Sequence, residues 1–413
     1  MPSRIRMERT YIMERIPYFD AKAPVRVISP KTDKSCFFGY YDLQAYDETD
    51  SYHLCNIADF EDRLPTEKDV LEMGVIDLSN GNFEKIAETT SWNFQQGALL
   101  QWHRQKKDTV FYNVFKDGEY ITVQKNVKTG AEKYVPACAN ISRDGKLGLK
   151  VNFSRIFDFR AGYGYCNLKD PFANVNQPEN DGIFLVDMET GKEKLLVNYV
   201  EMAQAVGTDL YTPDVKLLVN HITFNPSGTK FIVLLRNFAG DTTNAGAPWG
   251  TSLLAIDLEG NIKVLMRTAT YSHYDWKDDD ILLGFCSDRE GVWGLSTVDV
   301  NTGIWFDYRR DICDDDIHCL YSKDRKCFIG DDYPDKNGYR RIYYYDIQTD
   351  ESIILLQSYS PFTEGLVDIR TDLHNRWNNQ NNKFSFDAVH SGKREICEMD
   401  LTGTRFDRTI KWF

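Results

Sequence analysis

With 413 residues, 42% of them hydrophobic and 13% aromatic, the chain can bury one large core, and its formal net charge of −13 sets it apart from proteins built to hold polyanions. Nucleic acid and anionic membrane surfaces both reward a basic face, so neither is expected as a partner; an anionic substrate would need a local cationic pocket or a metal. No stretch approaches the length of a transmembrane helix, residues 1–10 are charged with no apolar core, and nine scattered cysteines include no Cys-x-x-Cys pair, which fits free thiols in a reducing cytoplasm.

No Pro-, Ser- or Gly-rich linker interrupts the chain, so residues 1–413 are read as one domain, with residues 1–35 completing the architecture or packing on it. Two short motifs recur along it. The first couples a large apolar residue to a polar turn and then an apolar strand; it begins near Leu43, Trp102 and Ile141 and, later, at Phe224, Trp276, Tyr321 and Trp377. The second is a short apolar run ending in Asp, followed by an aliphatic residue and a turn. Asp77, Asp187, Asp257, Asp299, Asp346 and Asp400 mark six copies, and Asn126 marks the seventh. Most of these turns contain Gly, which alone enters positive φ without steric penalty. Seven units of about sixty residues, each with two turn signals and about four short strands, predict an all-β chain folded as a seven-bladed β-propeller. A sandwich or Greek-key barrel would not repeat both motifs in step. Helical periodicity is confined to one short stretch, near Tyr199 to Val206.

Four of the seven histidines share a register in this repeat: His221, His273, His318 and His374 each stand three residues before the aromatic that opens the polar turn. In a radial array the innermost strand of each blade lines the central channel, so imidazoles repeated at one point of successive units converge. A lone histidine is more often a polar residue satisfying backbone groups at a strand start, but four in register favour a site. The aromatics are read as blade-packing core. Clustered imidazoles suit Mn, Zn, Fe or Ni better than Ca or Mg, and a neutral imidazole accepts protons near neutral pH.

Loops on the same face offer groups for an anionic substrate. The longest, about residues 154–181, carries Arg155, Arg160, Tyr163 and Tyr165; others carry Arg236, Arg289 and His390. Each arginine is equally open to a surface salt bridge. His53, His103 and His390 fall outside the register and are read as structural, although His390 sits in a loop on the ring's face and stays among the substrate-binding candidates.

With these four histidine units in this order, the chain resembles the oligogalacturonate lyase family, most strongly over residues 215–403. Members are cytoplasmic seven-bladed propellers that cleave short pectin fragments by β-elimination. The resemblance implies that His221 is the base; Arg236, from its loop on the same face, is placed with it in the catalytic set. The resemblance also implies that His273 and His374 hold a divalent transition metal, typically manganese, and that His318 completes the ring. Near the last ligand the family has a Gln and an additional His, whereas this chain reads Asp368-Ile-Arg370-Thr-Asp372-Leu-His374. Asp372 could replace a ligand; Arg370 would repel a metal and could itself bind a substrate carboxylate. The N-terminal half, with Phe37-Phe-Gly-Tyr-Tyr-Asp42 and Trp92-Asn-Phe-Gln-Gln-Gly97, looks closer to a wider group of uronate-active propellers that includes ulvan lyases and a rhamnosidase family. The expected function is metal-assisted β-elimination of an anionic, uronic-acid-containing oligosaccharide. A glycoside hydrolase, or a non-catalytic binding platform on the same scaffold, is the alternative.

Overall fold

A computed structural model describes residues 19–237, 250–269, 271–287, 293–307, 312–313, 315–361 and 367–404. The chain forms seven antiparallel sheets in sequence order, over residues 35–89, 101–136, 140–198, 217–269, 271–307, 317–359 and 376–400. The fold is the seven-bladed β-propeller that the repeated turns predict. Residues near the N-terminus finish the last two blades. Phe19–Ala21 adds to the outer edge of blade six, along Glu351–Tyr359, and Val25–Val27 supplies the fourth strand of blade seven, pairing Val25 with Met399. The ring is thereby tied shut across its ends, and two sheet edges that would otherwise offer unpaired N–H and C=O groups are covered.

Both repeated motifs have a structural cause. Strands near the axis, such as Leu217–Phe224 and Lys230–Asn237, are buried almost throughout because neighbouring blades cover both their faces, so they read as continuous apolar runs. The outer strand Phe83–Thr89 is largely exposed or half-buried. Trp276 and Trp377 are buried, and their indole N–H groups reach back to the preceding blade, donating to the carbonyls of Thr223 at 3.4 Å and Leu320 at 3.2 Å. The recurring aspartates cap the outer hairpins: Asp187 accepts from the N–H groups of Glu189 and Thr190, Asp299 from those of Asn301 and Thr302, and Asp346 from those of Gln348 and Thr349. This is the Asx-turn chemistry that only a short carbonyl-bearing side chain supplies, and Asn126 performs it equally through Oδ1.

The expected helix forms as α2, Tyr199–Val206, opened by a capping box between Asn198 and Glu201. A shorter helix, α1, Phe153–Phe159, lies in the segment that the sequence reads as loop; its Phe-Ser-Arg-Ile-Phe-Asp-Phe run has no clear helical period, and tertiary packing of Phe153 and Ile156 decides it. All nine cysteines are free thiols. Among the described residues no helix is long and apolar enough to cross a membrane.

His53 is structural, as expected. It is fully buried, with Nδ1 2.6 Å from the carbonyl of Leu54 and Nε2 2.8 Å from Ser385 Oγ. A carbonyl only accepts, so Nδ1 carries the proton and Nε2 accepts from the serine. Burial, aided by Arg376, lowers its pKa from 6.5 to about 3. The unfolded chain therefore takes up this proton first, and the stability His53 contributes is present above pH 6.5 and lost as pH falls towards 3, with a slope of up to about 1.4 kcal/mol per pH unit. Thermal midpoints followed through that window should fall less steeply for His53→Gln than for the parent; parallel curves would show that another group controls acid lability.

Candidate active site in the central channel

The four repeat histidines come from four consecutive blades and converge, and the backbone bends to bring them there. The pairing register shifts between Val219 and Ile222, around His221, and between Tyr271 and Tyr274, around His273. Such irregularities re-aim a side chain that a regular pleat would send elsewhere. His374 stands just before Arg376–Trp377 with φ of 45°, a left-handed conformation uncommon outside Gly. His318 sits in the regular strand Ile317–Tyr321. Ring centroids then run His221 to His273 at 6.4 Å, His273 to His318 at 3.9 Å and His318 to His374 at 4.5 Å. All four are buried.

Carboxylates behind the ring fix the tautomers. Asp316 Oδ1 lies 2.9 Å from His273 Nδ1, and Asp331 Oδ2 lies 3.1 Å from His318 Nδ1. An ionised carboxylate only accepts, so in both histidines Nδ1 carries the hydrogen and Nε2 keeps its lone pair. Asp331 also accepts from the backbone N–H groups of Leu373 and Asn375, so one carboxylate orients His318 and the turn bearing His374. The Nε2 atoms of His318 and His374 are buried without a hydrogen-bond partner. One ligand atom each from His318, Asp372 and His374 falls within 4.8 Å of the others. Burial holds His273 down to about 4 despite Asp316, and burial followed by the neighbouring His318 holds His374 well below its ordinary value. Both are neutral at pH 7.

This donor set fits a divalent transition metal: two orphaned imidazole nitrogens, with a carboxylate on the far nitrogen of His318 and another on that of the neighbouring His273. Asp372 fits less well. Arg370 contacts both its oxygens, Nε to Oδ1 at 3.0 Å and Nη2 to Oδ2 at 2.8 Å, and Arg340 Nη2 lies 2.8 Å from Oδ1. Burial pushes the Asp372 pKa up, yet Arg370 and Arg340 overcome it and hold it well below the usual carboxylate range. The same contacts correct the reading of Arg370 as a substrate group: its charge is met internally by Asp372, and Nη2 also donates to the hydroxyls of Tyr163 and Tyr333 at 3.0 and 3.2 Å.

His221 stands at the end of the row. Its Nε2 is 3.3 Å from the hydroxyl of Tyr40, whose ring stacks on it, and Tyr163 meets it edge-on. Burial, then Arg236, keeps its pKa well below 6.5. Arg236 ends Lys230–Asn237 and is itself pushed down to about 10 by burial and by Arg160, so these two cations and His221 share one corner. Arg160 lies over the Tyr163 ring at 5.0 Å and 3.7 Å from Asp368. The cavity that Tyr40, Tyr163 and His221 help to line is about 40 Å³, room for water and not for a sugar ring, so a substrate reaching Nε2 must displace side chains that line it.

Other expected groups lie elsewhere. Arg155 is fully buried and makes five hydrogen bonds inside the protein, to Asp170 and to the carbonyls of Phe172, Val175, Asn176 and Leu217, so it staples the long loop and faces no substrate. Tyr165 stacks on Phe153 and is bonded by Asn113. His390 Nε2 is 3.4 Å from Glu395 on the next strand of its own blade. His103 accepts the N–H groups of Gln105 and Lys106 in a turn. Arg289 lies outside the described residues.

Sequence reasoning missed Tyr40, Tyr41, Asp316, Asp331 and Tyr333. Tyr40 and Tyr41 belong to the Phe37–Asp42 motif, and both pack against His318 and His374. Gly39 lets them turn into the channel. It has φ of 125°, and a Cβ there would stand 3.0 Å from the backbone of Gln96.

No protein-family model matches the chain, and no curated protein matches it in sequence. Solved structures do match. An oligogalacturonate lyase from Vibrio parahaemolyticus superimposes with a TM-score of 0.63 at 13% identity, covering 92% of this chain and 94% of that one. The fold is that of oligogalacturonate lyases. A second such lyase, solved in complex with manganese, gives 0.61 at 14% identity over the same shares. The oligogalacturonate lyase fold is not confined to lyases in this comparison: the tricorn protease matches at 0.50 and 12% identity, with 92% of this chain covering 35% of that one. At these identities the likeness is one of architecture, and function must be argued from the channel.

Proposed function

We propose that the channel is the active site of a lyase that cleaves uronic-acid-containing oligosaccharides by β-elimination. The observation that supports this most is the pair of buried Nε2 atoms on His318 and His374 that make no hydrogen bond, next to a neutral His221 flanked by cations. In the reaction a base removes the C5 proton beside the carboxylate, the C–H electron pair becomes the new C4–C5 double bond, and the bridging oxygen departs from C4 with its own pair. The proton is acidic only if the carboxylate charge is neutralised.

Arg236 and Arg160 face that carboxylate and draw it towards His221. His221, neutral at pH 7, takes the proton on Nε2, and the arriving carboxylate raises its low proton affinity. Tyr40, held protonated by burial, shares the hydrogen bond with Nε2 and can return a proton to the departing oxygen. His318 and His374, with His273 beside them, would hold a divalent transition metal, manganese in the lyase solved with it. Bound there, the metal supplies Lewis-acid neutralisation of the carboxylate.

A panel of uronate oligosaccharides, incubated with and without chelator and followed by ultraviolet absorbance, tests this reading. Conjugated unsaturated uronates should accumulate from at least one substrate and diminish with chelator. No absorbance change from any member would count against it.

A further inference from the structure

Tyr40 and Tyr41 divide the channel. On one side Tyr41 packs against three of the repeat histidines; on the other it borders a second cavity of about 390 Å³, within the range of small-molecule pockets of about 300–1,000 Å³. The wall of this cavity is made by the far ends of the innermost strands, three residues past each histidine or about 10 Å along a strand, and none of the four histidines lines it. It is the opposite mouth of the propeller.

Four cations gather there: Arg104, Arg143, Lys323 and Arg325. In a chain of net charge −13 this is unexpected, and among the described residues three of the four have no carboxylate at ion-pair distance. Arg104 donates to two neutral acceptors, Gln44 Oε1 at 2.8 Å and the carbonyl of Asp42 at 3.2 Å. Lys323 donates to Asn379 Oδ1. Arg143 has no hydrogen bond or ion pair among the described residues. Among the described residues only Arg325 of the four pairs with a carboxylate, Asp275 at 3.6 Å, and Asp275 also accepts the N–H groups of Trp276 and Tyr321. Asp42 and Glu48 are the other carboxylates lining the cavity. Arg104 and Lys323 are both open to solvent within it.

We propose that this cavity is a second binding site, taking a small oxyanion that carries carboxylate or phosphate groups. Four cations against three carboxylates leave the cavity lining net positive, and an anion bridging Arg104, Arg143 and Lys323 would relieve the repulsion among them and form charge-assisted hydrogen bonds to each. Arginine's planar fork suits either oxyanion, while the tyrosine layer keeps the ligand apart from the histidines.

Calorimetric titration of the full chain with inorganic phosphate, with glucuronate and with neutral glucose decides the matter. At least one of the two anions should bind saturably and glucose should not; which anion binds more tightly assigns the headgroup. The Arg143→Gln, Lys323→Gln double variant should weaken that binding at least about ten-fold, the scale of one lost charge-assisted hydrogen bond, whereas the His318→Ala, His374→Ala variant should leave the component that depends on Arg143 and Lys323 unchanged. Because Arg143 makes no hydrogen bond or ion pair among the described residues, Arg143→Gln alone should melt no lower than the parent and still weaken binding. Absence of saturable binding, or binding that follows the histidine variant and not the cation variants, would overturn the proposal.

Discussion

Replacing His221 by alanine is expected to lower kcat on the best uronate oligosaccharide by about 10²–10⁴-fold, the usual worth of a positioned general base, and to leave fold and metal content intact. The geometry sets both halves of that expectation. Nε2 faces Tyr40 and the corner occupied by Arg236 and Arg160, while its ring stands 6.4 Å from His273 and outside the closer His273–His318–His374 row. Because burial and Arg236 keep the imidazole neutral, the base form is complete at pH 7, and kcat/KM should hold its plateau to well below pH 6.5 before the acid limb begins. Activity that survives the substitution would move the base to Tyr40 or Tyr163, the hydroxyl-bearing rings that touch His221.

The His318→Ala, His374→Ala double variant should lose the metal. Removing even an outer partner of a metal ligand typically costs about 10–100-fold in affinity, so loss of two ligands should exceed about 100-fold. Elemental analysis of protein purified without chelator reads this directly: metal near stoichiometric in the parent and absent from the variant. The substitutions leave small cavities and free Asp331 from one hydrogen bond, but its contacts to the N–H groups of Leu373 and Asn375 remain, so the blade should stay folded. Equal metal content in parent and variant would place any metal elsewhere.

The propeller was legible because its turns are local chemistry. An Asp or Asn side chain that accepts backbone N–H groups from the turn just after it must sit at its own hairpin, so seven such positions count seven blades without knowledge of their arrangement. The histidines were legible for the same reason: each is fixed relative to an aromatic three residues on, and radial repetition does the rest. Tyr40 and Tyr41 were not. They come from the first blade and meet His221, His318 and His374 only when the ring closes, across separations of 181 residues for the Tyr40–His221 contact. Asp331 and Asp316 were hidden because a carboxylate behind a histidine has no fixed sequence offset; Asp331 reaches His318 from the neighbouring strand, and Asp316 reaches His273 from the next blade's approach. Arg155 misled in the opposite direction. A cation in a long loop suggests a ligand, and only the folded chain reveals that Asp170, three carbonyls of that loop and the carbonyl of Leu217 take up its donors.

The central claim is that chemistry in the channel is elimination. Mass spectrometry of the products of a defined uronate oligosaccharide tests it most directly, since elimination adds nothing and hydrolysis adds water across the cleaved bond. The account predicts two fragments whose masses sum to that of the substrate, one of them unsaturated. Fragments whose masses sum to the substrate plus one water would contradict it and would make the propeller a glycoside hydrolase.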